Sequence, residues 1–322
     1  MATTIADVAK RAGVGVGTVS RVLNGGKSVN VKTKEAVMRA IEELNYSPNS
    51  MAKKLREQKN GVIALMIPLL YHPFFAKLAD CVEREASRFG YSVMLVSTQQ
   101  HVEKEDEMLE RINRREVDGA IIVTHYEHSE EQINGCPLVA IDRHLGESVP
   151  FVTSDNYEAT KKAVRYLLEH GCKNVAYLGT KPLVDSEVLL REKAYRDALA
   201  ECGKPVKIIN EAKIHGDEKS IVDEFFANMG DTDGVFVSGC STAELLCRGA
   251  EERGIKVPEQ LQVVAYDGSF KQWSMKLITC MEQPIEEMSR SAVELLINKI
   301  KGKSTPNCTM YNCTFVVGTT TK

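Results

Sequence analysis

From residue 62 onward, short apolar runs alternate with amphipathic stretches, and this alternation constrains the fold more than any other feature of the chain. The run VIALMIP at 62–68 is continuously apolar, which is typical of a strand buried on both faces. It is followed by PFFAKLADCVEREASRFG, whose apolar residues have helical spacing. Further strand-like runs are YSVMLVS, DGAIIVT, PLVAID and PFVTSD, and then NVAYLG, VKIIN, DGVFVSG and LQVVAYDG. The pattern predicts an α/β core of two lobes, each built on a parallel sheet flanked by helices.

The first 47 residues lack strand patterns and instead predict three helices. Their expected ranges are about 5–12, 16–23 and 31–44. Thr4 and Asp7 have the spacing of a capping box at the first helix start, and Asn30 is a good cap for the third. Gly13 can take the left-handed conformation that ends a helix. The second helix is expected to bury Val19 and Leu23.

The glycine-rich segment GVGVGTVSRVLNGG, residues 13–26, has two possible interpretations. A dinucleotide-binding loop requires G-x-G-x-x-G directly after a buried strand, but here a helix precedes it, and Ser20 stands where the third glycine would be. A phosphate-binding P-loop would need a lysine that is missing. Two short helices joined by a tight glycine turn and backed by a third instead form a helix-turn-helix unit, whose second helix enters the DNA major groove.

Charge and cysteine distribution agree with this division. Residues 1–59 carry eleven Lys and Arg against five Asp and Glu, whereas the rest of the chain carries thirty against thirty-nine. A basic head on an acidic body suits a head that docks on polyanions, although a solvated basic face would give the same balance. The nine cysteines are scattered without a C-x-x-C pair, so they are expected to be mostly buried, with no disulfide framework, metal site or cofactor. No apolar run approaches the length of a membrane span and no signal peptide is recognisable, which favours a cytoplasmic protein.

The segments TIADVAKRAGVGVGTVSRVLNG and LNYSPNSMAKKL, within residues 4–55, resemble the headpiece of the lactose/galactose-repressor (LacI/GalR) family of bacterial transcription regulators. The resemblance implies that Val16, Gly17 and Arg21 face the bases. Arg21 can fork to a guanine and Val16 can touch a thymine methyl, whereas Gly17 only permits close approach. The same resemblance assigns phosphate contacts to four polar side chains: Thr4, Thr18, Ser20 and Asn24. For Thr18 and Ser20, the alternative is that they are plain helix surface.

Residues 48–55 resemble the hinge helix of this family, which folds on operator DNA and wedges a leucine into the minor groove. The alternative is a simple tether. The residues expected to contact DNA here are Asn49, Met51, Lys53 and Leu55. The domains expected from these assignments are a headpiece at 1–47, a hinge and linker at 48–60, and a core at 61–322.

Residues 60–317 resemble the periplasmic-binding-protein-like core of the same family, with a first lobe at about 61–155 and 284–308 and a second at about 156–283 and 309–322. Four polar residues at or after strand ends match ligand-contacting positions: Asp142, Arg191, Asp267 and Gln283. Carboxylates and a guanidinium suit sugar hydroxyls. Tyr71, Phe74 and Phe75 match apolar ligand contacts, although the two phenylalanines have an even chance of being helix core. His72 and His125 are expected near the cleft mouth, although a structural role is the commoner one for a lone histidine.

Gly239-Cys240 departs from the Asn-Asp pair that the family usually has at this place, which removes one polar clamp. The stretches AIDRHLGESVPFVTSDNYEAT and AYDGSF are most similar to sucrose- and fructose-responsive repressors. The resemblance implies a homodimeric repressor that binds palindromic double-stranded operator DNA under control of a sugar or sugar phosphate. The alternatives are a sugar-binding transport protein or, with Asp142 and Asp267 as paired carboxylates, a sugar-processing enzyme, although no catalytic motif is present.

Overall fold

The computed structural model describes residues 3–23, 29–46, 60–99, 101–180, 182, 184–211, 218–268 and 277–322. These fall into two compact units, the first within residues 1–60 and the second within 61–322. None of the helices in these ranges is both long and apolar enough to cross a bilayer.

The first unit contains three helices, α1 (Ile5–Ala12), α2 (Val16–Leu23) and α3 (Val31–Glu43). The capping box of Thr4 and Asp7 is formed, and Gly13 ends α1 with φ 68°. The Asn30 side chain accepts a hydrogen bond from the Thr33 N–H at the start of α3. The three helices share a small core of Val8, Ala9, Val19, Val22, Val37 and Ala40.

One expectation for this core is wrong in detail. Val22, not Leu23, is the fully packed residue at the end of α2, and Leu23 is half-buried. Val22 lies three residues after Val19, so both point to the same side of the helix.

The first lobe of the second unit is a six-stranded sheet with the strand order β11-β5-β4-β3-β1-β2. Every strand pair in it is parallel. Its strands are β1 (Val62–Ile67), β2 (Ser92–Ser97), β3 (Ala120–Ile122), β4 (Leu138–Ile141), β5 (Phe151–Ser154) and β11 (Cys308–Tyr311). Its helices are α4 (Pro73–Arg88), α5 (Val102–Asn113), α6 (Glu130–Ile133) and α11 (Ile285–Ile300).

Alternate residues of β1 enter two separate cores, as the two-residue period of a strand requires. Ile63, Leu65 and Ile67 pack on the face covered by α4 and α11. Ala64 and Met66 pack on the opposite face, under α5. Burial on both faces explains why the sequence of β1 is continuously apolar.

The second lobe repeats this plan with the strand order β12-β10-β9-β8-β6-β7, in which only β12 is antiparallel to its neighbour. Its strands are β6 (Val175–Thr180), β7 (Ile208–Glu211), β8 (Gly234–Val237), β9 (Gln262–Tyr266), β10 (Thr279–Glu282) and β12 (Thr314–Val316). Its helices are α7 (Asn156–Glu169), α8 (Leu189–Glu201), α9 (Glu218–Ala227) and α10 (Cys240–Glu252).

The chain crosses between the lobes three times, after β5, after β10 and between β11 and β12. Residues 309–311, which the sequence assigns to the second lobe, lie in β11 and therefore belong to the first, because that strand pairs in register with β5. Six of the nine cysteines are buried, as expected.

Candidate functional site

The α2 helix of the first unit has one buried and one exposed side. Val19 and Val22 are in the core, while Val16, Gly17 and Arg21 are exposed. A Cβ atom added at Gly17 would meet nothing within 4 Å, so packing within the headpiece does not require glycine there. The predicted base-reading residues therefore lie together on a free face, as a recognition helix needs.

The residues predicted to contact phosphates differ from one another in burial and in the other roles that they have. Thr18 and Ser20 are half-buried on α2. The Thr4 hydroxyl donates to Asp7 Oδ2 at 2.7 Å and accepts from the Asp7 N–H, so it also has a capping role. The hydrogen bonds that the hydroxyl and the backbone N–H of Thr4 donate to Asp7 Oδ2 lower the pKa of Asp7. The remaining predicted DNA contacts lie outside the described residues: Asn24, Asn49, Met51, Lys53 and Leu55.

In the second unit, residues at or after the ends of first-lobe strands form hydrogen bonds with residues of the second lobe, at the ends of the strands where open α/β sheets bind ligands. Asp142 follows β4 and Asp267 follows β9, and both have positive φ, 56° and 81°. Aspartate tolerates this left-handed conformation better than most residues, and it often marks a functional site. The two lobes thus present a carboxylate at equivalent places.

Arg191 lies at the centre of the second lobe's side of the cleft. Its Nε donates to Asn156 Oδ1 at 2.6 Å and its Nη1 to the Ser238 carbonyl at 2.7 Å. The guanidinium lies over the Tyr266 ring, 3.6 Å from the centroid, and its Nη2 is 3.9 Å from Asp267 Oδ1. Burial is the largest single influence on the pKa of Arg191 and lowers it, but Asp267, Tyr266, Asp142 and Tyr177 together outweigh burial and raise the pKa.

Gln283 connects the lobes through a chain of short hydrogen bonds. Its Nε2 donates to Asp267 Oδ1 at 2.6 Å, and its Oε1 accepts from Ser154 Oγ at 2.6 Å. Ser154 Oγ also lies 3.0 Å from the Tyr266 hydroxyl. On the first lobe, Asp142 Oδ1 accepts from Thr153 Oγ1 at 2.6 Å. The two carboxylates are thus held in fixed orientations, which suits the recognition of neighbouring hydroxyl groups.

Sequence reasoning missed Arg143. This buried side chain donates from Nε to the Thr124 carbonyl at 2.8 Å and from Nη1 to Ser186 Oγ at 2.9 Å. Burial lowers the pKa of Arg143 to about 10, so it remains a cation at neutral pH. Its position next to Asp142 was the only signal available. The other cleft residues that were missed are Ser154, Asn156, Ser186 and Tyr266.

The aromatic and histidine predictions separate into exposed and buried groups. Tyr71 is 78% exposed, whereas Phe74 and Phe75 are each 5% exposed and belong to the first lobe's core. His125 follows β3 and is buried. His72 is also buried, and its Nε2 lies 3.2 Å from Ser241 Oγ in the second lobe. His72 therefore forms a contact between the lobes.

Two observations bear on chemistry other than binding. Burial, together with the carboxylates of Asp267, Glu244 and Glu218, raises the pKa of the Cys240 thiol well above its usual value, which disfavours a nucleophilic thiolate. Within the described part of the chain, no group of three or more His, Cys, Asp or Glu side chains is placed to hold a metal ion.

Both parts of the chain are similar to known families. Residues 4–49 match the family described as "Bacterial regulatory proteins, lacI family". Residues 60–317 match "Periplasmic binding proteins and sugar binding domain of LacI family".

Individual relatives are similar over nearly their whole length. The chain is 38% identical to the ribose operon repressor of Halalkalibacterium halodurans, over 94% of this chain and 91% of that protein. It is 31% identical to the sucrose operon repressor of Streptococcus mutans, over 95% of both. A crystal structure of the lac repressor dimer bound to operator and the anti-inducer ONPF superimposes with a TM-score of 0.85, at 22% identity and 99% coverage of both chains.

Proposed function

Because the chain belongs to the LacI family of bacterial regulatory proteins, we propose that it represses a carbohydrate-utilisation operon in the cytoplasm and that a small sugar controls it. The observation that carries this proposal is the cleft. At the strand ends of the two lobes it brings together the carboxylates of Asp142 and Asp267 and the guanidinium of Arg191. Hydrogen bonds join the two lobes.

The proposed DNA-bound form is a homodimer that presents two α2 helices to a palindromic operator, about one DNA turn apart. Arg21 contributes the main base contact, with Val16 and Gly17 beside it. The side chains that fix the register on the phosphates are Thr4, Thr18, Ser20 and Asn24. The segment at 48–60 acts as the hinge, with Asn49, Met51, Lys53 and Leu55 toward the DNA.

Sugar binding is proposed to act by changing how the two lobes close. Arg191, Asp267 and Gln283 are joined by an ion pair and a hydrogen bond, and Gln283 reaches the first lobe through its hydrogen bond with Ser154. A ligand that bridges Asp142 and Arg191 would stabilise one closure angle. Since ligand and operator affinity are then coupled, each changes the other by the same factor.

For the identity of the sugar, a ribose operon repressor is 38% identical over 91% of its length, and a sucrose operon repressor is 31% identical over 95% of its length. Ribose, sucrose and fructose are therefore the first ligands to test. Tyr71, Phe74, Phe75 and His125 are retained as proposed effector contacts, with Tyr71 the most accessible of them.

Fluorescence anisotropy on a labelled palindromic operator from the protein's own upstream region tests this proposal. We expect tight binding that one of these sugars releases. Tightening by a sugar would instead make it a co-repressor, and operator binding that no sugar changes would contradict sugar control. No operator binding at all would favour a transport-type sugar-binding protein, and turnover of a sugar would favour an enzyme.

A further inference from the structure

A pocket of about 300 Å³ is lined by residues of both lobes. Tyr71, His72 and Pro73 form its wall on the first lobe. Glu218, Ser241 and Leu245 form its wall on the second. None of the second-lobe residues of this wall was among the predicted effector contacts.

Three of these side chains form a hydrogen-bonded chain across the lobes. The Ser241 hydroxyl donates to Glu218 Oε1 at 2.8 Å. The same oxygen lies 3.2 Å from His72 Nε2. A hydroxyl has one proton, so when Ser241 gives it to Glu218, the His72 ring donates to Ser241. The chain then ends in the carboxylate of Glu218.

None of the three groups supplies a positive charge at neutral pH. Burial lowers the pKa of His72 to about 4, so its ring is neutral. Burial also raises the pKa of Glu218, and the nearby Asp267 carboxylate acts in the same direction. The hydrogen bond that Ser241 donates favours the carboxylate form of Glu218, in opposition to burial and Asp267, and an anionic group placed beside this carboxylate would be repelled.

The cations around the cleft already have acceptors. Arg143 donates to two backbone carbonyls and to Ser186 Oγ. Arg191 donates to Asn156 and Ser238. The Lys219 side chain lines the pocket, but it is 81% exposed and its Nζ lies 2.7 Å from Asp223 Oδ2.

We propose that Glu218 is a specificity-determining residue that excludes anionic ligands, so that this cleft takes uncharged polyhydroxy compounds and rejects their phosphate esters. Hydroxyl groups donate to the carboxylates of Glu218 and Asp267, whereas a phosphate has only acceptors to offer them. This inference rests on the proposed function, because it names the chemical class of the same ligand.

Isothermal titration calorimetry on the intact chain with three matched pairs tests the inference. The pairs are ribose and ribose 5-phosphate, fructose and fructose 6-phosphate, and sucrose and sucrose 6-phosphate. We expect the free member of the best-binding pair to bind at least about tenfold more tightly than its ester, a difference typical of one unfavourable charge contact.

Variants then assign the effect to Glu218. Glu218→Gln should reduce the difference in affinity between the free sugar and its ester by strengthening binding of the ester. Glu218→Asp should keep this difference in affinity because the charge remains. Glu259→Gln removes an exposed carboxylate that does not line the pocket and should change neither affinity. The urea unfolding midpoint of each variant checks that the second unit is folded.

An ester that binds the wild-type chain as tightly as its free sugar would overturn the inference and leave the proposed function standing. A preference for the free sugar that is unchanged in Glu218→Gln would also overturn the inference and leave the proposed function standing. Failure of every free sugar and every ester to bind would contradict sugar control itself, and the inference would fall with it.

Discussion

Arg143 of the first lobe donates from Nη1 to Ser186 Oγ of the second lobe at 2.9 Å, and both side chains are buried. Ser186 Oγ in turn donates to the Asp142 carbonyl at 2.8 Å, and residues 143 and 186 form an antiparallel β-bridge. Next to this bridge, His144 Nε2 lies 2.8 Å from Glu187 Oε1. These bonds join the lobes beside Asp142.

Ser186→Ala tests whether this junction stabilises the closed cleft. The substitution leaves the buried Arg143 guanidinium without one acceptor, and losing a partner of a buried polar group costs about 1–3 kcal/mol. We expect a lower unfolding midpoint in urea for the second unit and a several-fold weaker sugar affinity by calorimetry. Ser87→Ala, on the exposed side of α4, is the control and should change neither. Unchanged sugar affinity in Ser186→Ala would mean that the junction does not contribute to the ligand-bound state.

Arg191→Lys tests the guanidinium that lies over Tyr266. Lysine keeps the charge, but it cannot donate to Asn156 and Ser238 at once while lying flat on a ring. We expect sugar affinity to fall by about tenfold or more, which corresponds to ~1.4 kcal/mol. Operator binding without sugar should persist, since the headpiece is a separate compact unit.

Arg196→Lys is the matched control for that experiment. Arg196 lies on the same helix, α8, but is 52% exposed and paired with Glu192 one turn earlier. Exposed pairs of this kind contribute only a few tenths of a kcal/mol, so the sugar affinity should not change. Equal losses in both variants would show that Arg191 acts through the helix and not through the ligand.

The fold was largely predictable because strands buried on both faces have an unmistakable composition. The run at 62–68 became β1, and the capping patterns of Thr4 and Asn30 gave the starts of α1 and α3. The strands that no pattern predicted were β10, β11 and β12, which are three or four residues long. Length alone does not explain this, because β3 is equally short and was predicted from DGAIIVT. The sequences TCME, CTMY and TFV begin with or contain polar residues and lack the continuous apolar run that marks β1.

The candidate site was predictable where topology alone determines it. Asp142 and Asp267 each end an apolar run, one in each lobe, and open α/β sheets bind ligands at the carboxyl ends of their strands. Ser186 and Glu218 follow no such rule, because Ser186 lies in the loop after β6 and Glu218 at the start of α9, and neither ends an apolar run. Phe74 was ambiguous for a related reason, since a helix that covers a sheet needs the same apolar residues as one that lines a cleft.

Arg21→Ala tests the recognition helix. Because Arg21 is exposed beside Gly17, we expect its loss to relax sequence preference at one base pair per half-site, at a cost of about 1–3 kcal/mol each. Anisotropy on a set of single-base operator variants measures this. Arg39→Ala removes an equally exposed positive charge from α3 and should weaken binding, if at all, without changing base preference. Equal preference in wild type and Arg21→Ala would remove Arg21 from the base-reading set.

His72 predicts how the stability of the second unit depends on pH. Burial lowers the pKa of His72 from its ordinary value of 6.5 to about 4, so the folded chain keeps the ring neutral while the unfolded chain takes up a proton. The unfolded state therefore binds more protons between pH 6.5 and about 4, and the free energy of unfolding falls as the pH falls through this window. The full difference amounts to ~3 kcal/mol.

His72→Asn should remove this contribution. As the pH falls, the free energy of unfolding of the variant should therefore decrease less than that of the wild type. Urea unfolding at a series of pH values measures it. His101→Asn is the matched control, since His101 occupies the same N-cap position of α5 without a side-chain capping bond but is exposed. Because His101 is exposed, its substitution removes no buried group and should leave the pH profile parallel to that of the wild type. A parallel profile for His72→Asn would mean that the ring at position 72 is protonated in the folded chain, and the neutral contact to Ser241 would then be wrong.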